Sequence, residues 1–564
     1  MSEKPQPIGY VSASRTPSLV EIIASSPVPI GTYVYAEFDV RDRVRGEILK
    51  RRVIGIVTNA SYQPAIPMSV LALAREEIET ARASELKYSP MTVYVIADIS
   101  EKTPETPTYP IPPNTPVYSA HTVTPNPIER LYRRPDPFNG LIRIGTLARV
   151  SELEIAVDVN RLYKHLLIAG ATGSGKSNAV AVLVDRMSEL GAPVIIFDVH
   201  GEYINLVPES GDMNKVVVVE AKIDPLEIRR DILIRIIIPE SGATRQRRLL
   251  KEALRELYKE ISNVAQRDRV DSKIAVEQLF EKNLSLIKDL AYDLDLSESE
   301  DPQQLLKIDP VNKFHLLLLH KIKWLGEVKR QRQKDTRAIQ IAAQVEEKYE
   351  EFIFSTPIFS FDAKNPLDIL TPGKIVVYDV SPLPDQLKSW VLKLLAEDLL
   401  ERLKSRYREK ILFPPTILVV EEAPLFISRD SGSYAKESLR RFAREGRKFG
   451  GVLVVVSQRP RVLDPDISSQ IQNYLFLKLV QEEDIKTVMN IADNLEESLA
   501  RTLPTLPTGW GVLMGEWIGR FPALVAVDKH QGKRLGASPD LVSEWRSFRE
   551  SFEKRDLAPS RFEF

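Results

Sequence analysis

Cysteine is absent from all 564 residues, which removes disulfides, thiolate zinc sites and cysteine nucleophiles together and suits a reducing interior. Histidine is scarce. Of the six, the closest pair, His315 and His320, are five apart and do not share a helix face as paired metal ligands do, so no structural metal site is expected. Net charge is missing too: 77 Lys and Arg stand against 78 Asp and Glu. Bulk charge therefore points to neither nucleic acid nor membrane, and any DNA-binding surface must be local, such as the lining of a groove or channel. No stretch approaches the ~20 apolar residues that span a bilayer, and "MSEKPQPIGYVSAS" has no charged-then-apolar signal pattern. The expectation is a cytoplasmic protein with no membrane partner. The abundance of Lys, Arg and Glu beside the missing cysteine also suits a hyperthermophile.

What is present is length and a change of texture. At 43% hydrophobic and 27% charged the chain is soluble and globular, and it is long enough for two to four domains. Residues 1–149 read as a small β-barrel, from short β-branched runs such as "TYVYAEF" and "RVIGIVT", with "GLIRIGTLA" at 140–148 as a completing strand. Proline crowds 103–120, so that stretch is expected to be an extended crossing or an edge. From 150 onward, apolar strand runs alternate with helical patterns, the mark of an α/β fold with a parallel sheet. Strands are expected at 165–169, 193–199, 215–220, 374–380, 416–422, 451–458 and 474–480. A charged segment of helical period, 243–352, divides this core into 150–242 and 353–528, and a polar tail occupies 529–564.

"HLLIAGATGSGKSNAV" carries the first chemistry. Gly170, Ala171, Thr172, Gly173, Ser174, Gly175, Lys176 and Ser177 satisfy G-x-x-x-x-G-K-[ST] between an apolar strand and a helical pattern, with Asn178 next in line. The glycines let backbone N–H groups face a phosphate at a helix N-terminus. Lys176 is placed for the β- and γ-phosphates of ATP, and Ser177 for Mg²⁺.

A triphosphate site also needs acids at a neighbouring strand tip, and "ILVVEE" supplies Glu421 for Mg²⁺ through water and Glu422 to polarise the attacking water. "VVVSQRP" ends a further strand with Gln458, an amide suited to sensing the γ-phosphate. "FDVHGEY" adds Asp198 and Glu202 as candidate cofactor-binding residues. In "YAKESLRRFAREGRKFG" the stripe Leu439, Phe442, Ala443, Gly446 and Phe449 leaves Arg440, Arg444 and Arg447 as a basic row. Starting from the catalytic strand, that row is placed to reach a nucleotide on the next subunit as an arginine finger, Arg447 before Arg444.

Taken together, "GATGSGKSN", "FDVHGEY", "LVVEEAP", "REGRKFGGVLVVVSQRP" and "PTLPTGWGVLMG" resemble the HerA family of archaeal hexameric DNA translocases, in the FtsK-like ATPase branch. The resemblance implies a RecA-like P-loop ATPase core with an N-terminal small β-barrel, an inserted helical subdomain, and a tail that braces a neighbouring subunit. It further implies a ring of six subunits threading double-stranded DNA, driven by ATP and Mg²⁺, and working with a NurA-type nuclease in DNA end resection. The phosphate lysine then falls on Lys176, the catalytic glutamate on Glu422, the sensor glutamine on Gln458 and the finger on Arg447. A second basic residue falls on Lys164, where the family usually has arginine, and Pro424 stands where it often has histidine. A nucleotide-bound ring that recruits and activates a nuclease without moving along DNA is the alternative; a conjugation-type ATPase is disfavoured by the missing membrane anchor.

Overall fold

Two sheets organise the chain in the computed structural model, which describes residues 6–42, 46–64, 87–228, 230–240, 242–294, 302–333, 335–355, 358–410, 412–492, 495–532 and 546. The first is built from β1 (Gly9–Thr16), β2 (Leu19–Ala24), β3 (Tyr33–Asp42), β4 (Glu47–Ala60), β5 (Gln63–Pro64), β6 (Lys87–Asp98) and β7 (Pro116–Ser119). Its order is β2-β1-β7-β3-β4-β6-β5, and β2 also pairs with β6. Six strands thus close into a barrel, leaving β5 as an appendage and no long free edge. Val20, Ile22, Val34, Val57 and Val93 fill its interior. The proline-dense segment does more than cross: its end, β7, sits between β1 and β3, with Pro116 at the first strand position.

"GLIRIGTLA" does not complete the barrel. It forms β8 (Leu141–Leu147), which pairs with β9 (Val150–Asp158) on one side and a C-terminal strand, β18 (Ala523–Val527), on the other. The barrel had already closed without it. At the β8–β18 contact a Cβ on Gly145 would come within 2.0 Å of the Ala526 carbonyl oxygen, so glycine is what lets the strands approach.

The second sheet also holds β10 (Leu166–Ala169), β11 (Val194–Asp198), β12 (Val216–Glu220), β13 (Ile375–Asp379), β14 (Thr416–Val420), β15 (Gly451–Ser457), β16 (Asn473–Leu477) and β17 (Trp510–Gly515). Its order is β12-β13-β11-β14-β15-β10-β16-β17-β18-β8-β9. From β12 to β16 every pairing is parallel; from β16 onward each is antiparallel. Every residue of β10, β11, β13, β14 and β16 is buried, as strands with both faces covered must be. The helices include α1 (Lys176–Glu189), α2 (Thr244–Asp268), α3 (Pro310–Gln333), α4 (Ala338–Ser355), α5 (Asp385–Arg408) and α6 (Ala435–Glu445).

Helices α2 to α4 belong to the insertion between β12 and β13. Lys321 meets Glu260 at 2.6 Å and Lys329 meets Glu252 at 2.5 Å, so α2 and α3 run antiparallel. A shorter helix, Arg230–Ile237, already departs from the sheet before the expected boundary at 242, burying Leu233, Ile234 and Ile237. The barrel docks on the sheet where Tyr33 Oη accepts the Leu524 N–H at 2.9 Å and Tyr132 Oη donates to the Pro522 carbonyl at 2.6 Å. Among the described residues, no helix is long and apolar enough to cross a membrane.

Candidate active site

Strand β10, flanked by β15 and β16, fixes where the glycine loop starts. Gly175 enters α1 at φ 103°, a left-handed conformation that side chains resist, and a Cβ on Gly170 would lie 2.5 Å from Ser174 Oγ. The folded loop holds its N–H groups at the start of α1, where the helix dipole favours an anion. Lys176 Nζ donates to the Ala171 carbonyl at 3.1 Å, so its ammonium caps the loop, and Ser174 Oγ is buried without a hydrogen-bond partner among the described residues. These groups fit a nucleotide phosphate. Burial pulls the Lys176 pKa below its ordinary value, opposed by Glu421, Glu422 and Glu202 close by.

Glu421 and Glu422 follow β14 directly. The Tyr203 hydroxyl donates to Glu421 Oε1. Burial pushes the Glu421 pKa up to about 7; the Tyr203 bond opposes the rise, the charges of Glu202 and Asp198 add to it, and Lys176 opposes it. Glu422 sits at φ 43°, a left-handed backbone that costs roughly 1–3 kcal/mol for a side-chain-bearing residue and concentrates at functional sites. Gln458 joins this acid to the loop: its Nε2 donates to Glu422 Oε2 at 3.1 Å, and its Oε1 accepts from Thr172 Oγ1 at 2.7 Å. One hydrogen-bonded chain therefore spans phosphate loop, β15 tip and β14 tip. Among the described residues no three acids or histidines converge as a preformed cation cage.

Two expected ligands are used elsewhere. Asp198, 1% exposed, accepts the N–H groups of Gly201, Glu202 and Tyr203 at 2.9, 3.1 and 2.8 Å. It anchors the turn that aims Tyr203 at Glu421, leaving Glu202 beside the site. Asn178 donates to the Asp528 carbonyl at 2.7 Å and accepts the His530 N–H at 3.0 Å, tying the segment after β18 to α1. His530 Nε2 also meets Asp185 Oδ2 at 3.1 Å, so the first residues of the expected tail brace their own subunit. Residues 533–545 and 547–564 of that tail lie outside the described residues.

The arginines lie at the other end of the sheet. α6 buries Leu439, Phe442 and Ala443 as the stripe requires, then tightens into a 3₁₀ turn, Gly446–Phe449, that feeds β15. Because β15 runs parallel to β10 and is seven residues long, Arg447 is separated from its own phosphate loop by about 20 Å. Arg440 departs from the expected row, since Asp464 engages its Nε at 3.0 Å. Arg444 reaches back to Glu437 at 3.5 Å, while Arg447 is exposed. Beneath them, His165 Nδ1 accepts the Leu453 N–H at 3.0 Å and Nε2 faces the Ala443 carbonyl at 2.7 Å, which makes the ring neutral with its proton on Nε2. Burial, opposed by the hydrogen bond to Ala443 and aided by the Arg447 charge, lowers its pKa to about 4.

Comparison with known proteins fits this geometry. A profile described as "Helicase HerA, central domain" matches residues 142–399. The "DNA double-strand break repair helicase HerA" of Sulfurisphaera tokodaii is 31% identical over 97% of this chain and 98% of its own length. The chain belongs to the HerA family. A second HerA of the same description, from Saccharolobus solfataricus, is 29% identical over 96% of both chains. Among solved structures, VirB4 of Thermoanaerobacter pseudethanolicus covers 71% of this chain and 97% of its own at 18% identity, with a TM-score of 0.43. Two positions set this HerA-family chain apart from the expected pattern. Lys164 forms an ion pair with Glu516, and Pro424 opens the short helix Pro424–Ile427 two residues after Glu422. The resemblance had not singled out Tyr203 or His165; the only sequence signal was their place, one at the end of "FDVHGEY" and the other at the start of "HLLIAG".

Proposed function

We propose that this protein is an ATP-driven DNA translocase and helicase that works as a homo-hexameric ring on double-stranded DNA, with a NurA-type nuclease, in DNA end resection. The observation that carries the reading is the split of the site between the two sheet ends. The phosphate loop, Glu422 and Gln458 are wired together at one end, and an exposed Arg447 stands at the other, beyond reach of its own loop. Arg429, Arg459 and Arg461 line the pocket beside Glu422 and Gln458; Arg447 is the cation offered to a neighbour's phosphate loop.

Magnesium-bound ATP supplies the phosphoanhydride bond that is broken. Lys176 and the loop N–H groups hold phosphate charge, and Ser177 and Glu421 would hold the magnesium ion, which would neutralise phosphate charge. Glu422 orients the attacking water and takes its proton. Gln458 touches both Glu422 and Thr172, so a change in the loop on phosphate loss reaches the acid and the segment after β15. The neighbour's Arg447 stabilises charge developing on the transferred phosphoryl group, which couples firing to subunit contact.

The experiment compares ATP turnover with and without duplex DNA. Lys176→Ala should abolish it, and Glu422→Gln should still bind ATP while losing DNA-stimulated turnover and nuclease activation. Turnover indifferent to DNA counts against a motor. Full nuclease activation by Glu422→Gln would favour the scaffold ring instead.

A further inference from the structure

The insertion carries a charged face that the site at the sheet edge does not use. On α2, Arg245, Arg248, Lys251 and Arg255 are exposed, as is Arg235 of the preceding short helix. Between these two helices runs an open groove of about 610 Å³ lined by Arg235, Arg247, Arg248, Lys251 and Arg255, with Asp231 and Glu252 as its acids. Glu252 already receives Arg248 at 3.3 Å and Lys329 at 2.5 Å, which spends its charge. Arg247 is locked in place by the carbonyls of Ile238 and Pro239 at 2.9 and 2.8 Å, yet keeps its positive charge.

The facing helix adds to the same region. The antiparallel register set by Lys321–Glu260 and Lys329–Glu252 brings the end of α3 level with Arg248 and Lys251, and that end carries the exposed Arg330 and Arg332. Two basic runs more than 70 residues apart in sequence, "TRQRRLLK" and "KRQRQ", thereby meet at one level of the helix pair. The chain's near-zero net charge makes such a concentration a local feature. The insertion leaves the sheet from the C-terminal end of β12, the end that also carries the phosphate loop.

Ile234 is the single apolar residue lining the groove. A folded protein partner needs aromatic or aliphatic anchors at the centre of its interface, whereas a polyanion needs only spaced point charges. Along α2 the exposed cations recur about every 5 Å, given a rise of ~1.5 Å per residue. We infer that this face of the helical insertion is a second DNA contact, gripping the phosphate backbone of duplex DNA outside the ATPase site. The inference rests on the DNA-motor reading above. The contact is sequence-independent and adds to affinity through counterion release.

The test uses the full chain and a labelled blunt duplex of about 30 base pairs, with affinity measured from about 50 to about 200 mM salt. The triple change Arg248→Gln, Lys251→Gln and Arg255→Gln keeps good helix formers at exposed positions. Losing three phosphate contacts should lower the slope of log affinity against log salt by about 2.7, so the affinity lost across that fourfold salt range shrinks by about 40-fold. ATP turnover without DNA should stay unchanged. Arg330→Gln with Arg332→Gln, on the other helix, should move the slope the same way. An unchanged slope in both variants, while the unaltered chain binds the duplex, overturns this inference alone. So does a preference of the patch for polyglutamate over duplex, which would assign it to an acidic protein. Failure of the unaltered chain to bind duplex at any salt removes the motor reading and this contact with it.

Discussion

The two ends of the core sheet differ in how their polar groups are used. At the C-terminal end, Thr172, Gln458 and Glu422 form a continuous chain, and Tyr203 holds Glu421. At the N-terminal end, Arg447 is exposed above a neutral, fully hydrogen-bonded His165. One end is wired within its own subunit, and the other leaves Arg447 exposed away from that wiring. On the function proposed above, these are two unlike half-sites that a neighbouring subunit completes.

The sharpest way to break this comparison is Arg447→Ala. A finger supplied by a neighbour is worth about 10³–10⁵ in turnover, so loss on that scale is expected with ATP binding retained. Mixing that variant with Lys176→Ala should restore part of the activity, because some interfaces then pair an intact loop with an intact arginine. No recovery on mixing would mean that both residues serve one subunit's nucleotide. Arg444→Ala, already turned toward Glu437, should cost far less.

A middle-sized effect tests the wiring. Thr172→Val removes the donor to Gln458 Oε1 and should slow turnover by about fivefold, in line with roughly 1 kcal/mol for a single hydrogen bond, with KM for ATP little changed. A rise in KM alone would make Thr172 a binding group and leave Gln458 unconnected to the loop.

The smallest effect on turnover concerns the far end. His165 has a folded pKa of about 4 against 6.5 unfolded, so the unfolded chain binds the extra proton first as pH falls. Its contribution to stability is fully present above about pH 6.5 and is lost between there and about pH 4, amounting to about 3 kcal/mol. Comparing urea unfolding of the unaltered chain and His165→Gln across that window should show a smaller pH dependence in the variant. Equal dependence in both would mean the ring is not the buried neutral group described.

Legibility in the sequence followed contiguity. The phosphate loop, "VVEE" and "SQRP" each carry their chemistry within a few residues of a strand end, so strand direction alone puts them at one edge. Asp198 and Asn178 were only partly legible for the opposite reason. Their residue types suit a ligand equally well, but a carboxylate can also collect the N–H groups of its own turn, and an amide can hold a distant strand's exit. β8 was misplaced because alternating apolar residues do not say which sheet they join; the closure of β2 on β6 left it none in the barrel.

By itself, the sequence determined that a glycine-loop motif for phosphate joins a strand to a helix and that acids and an amide stand at neighbouring strand tips. Those are properties of local spacing and backbone conformation; the resemblance of its motifs to the HerA family is a separate reading of the same stretches. Tertiary structure alone decided that Gln458 bridges Thr172 to Glu422, that Arg447 lies about 20 Å from its own loop, and that two remote basic runs meet at one level of the insertion. Each of these depends on strand order and helix register, which are set by long-range burial and pairing and are written in no single stretch of the chain.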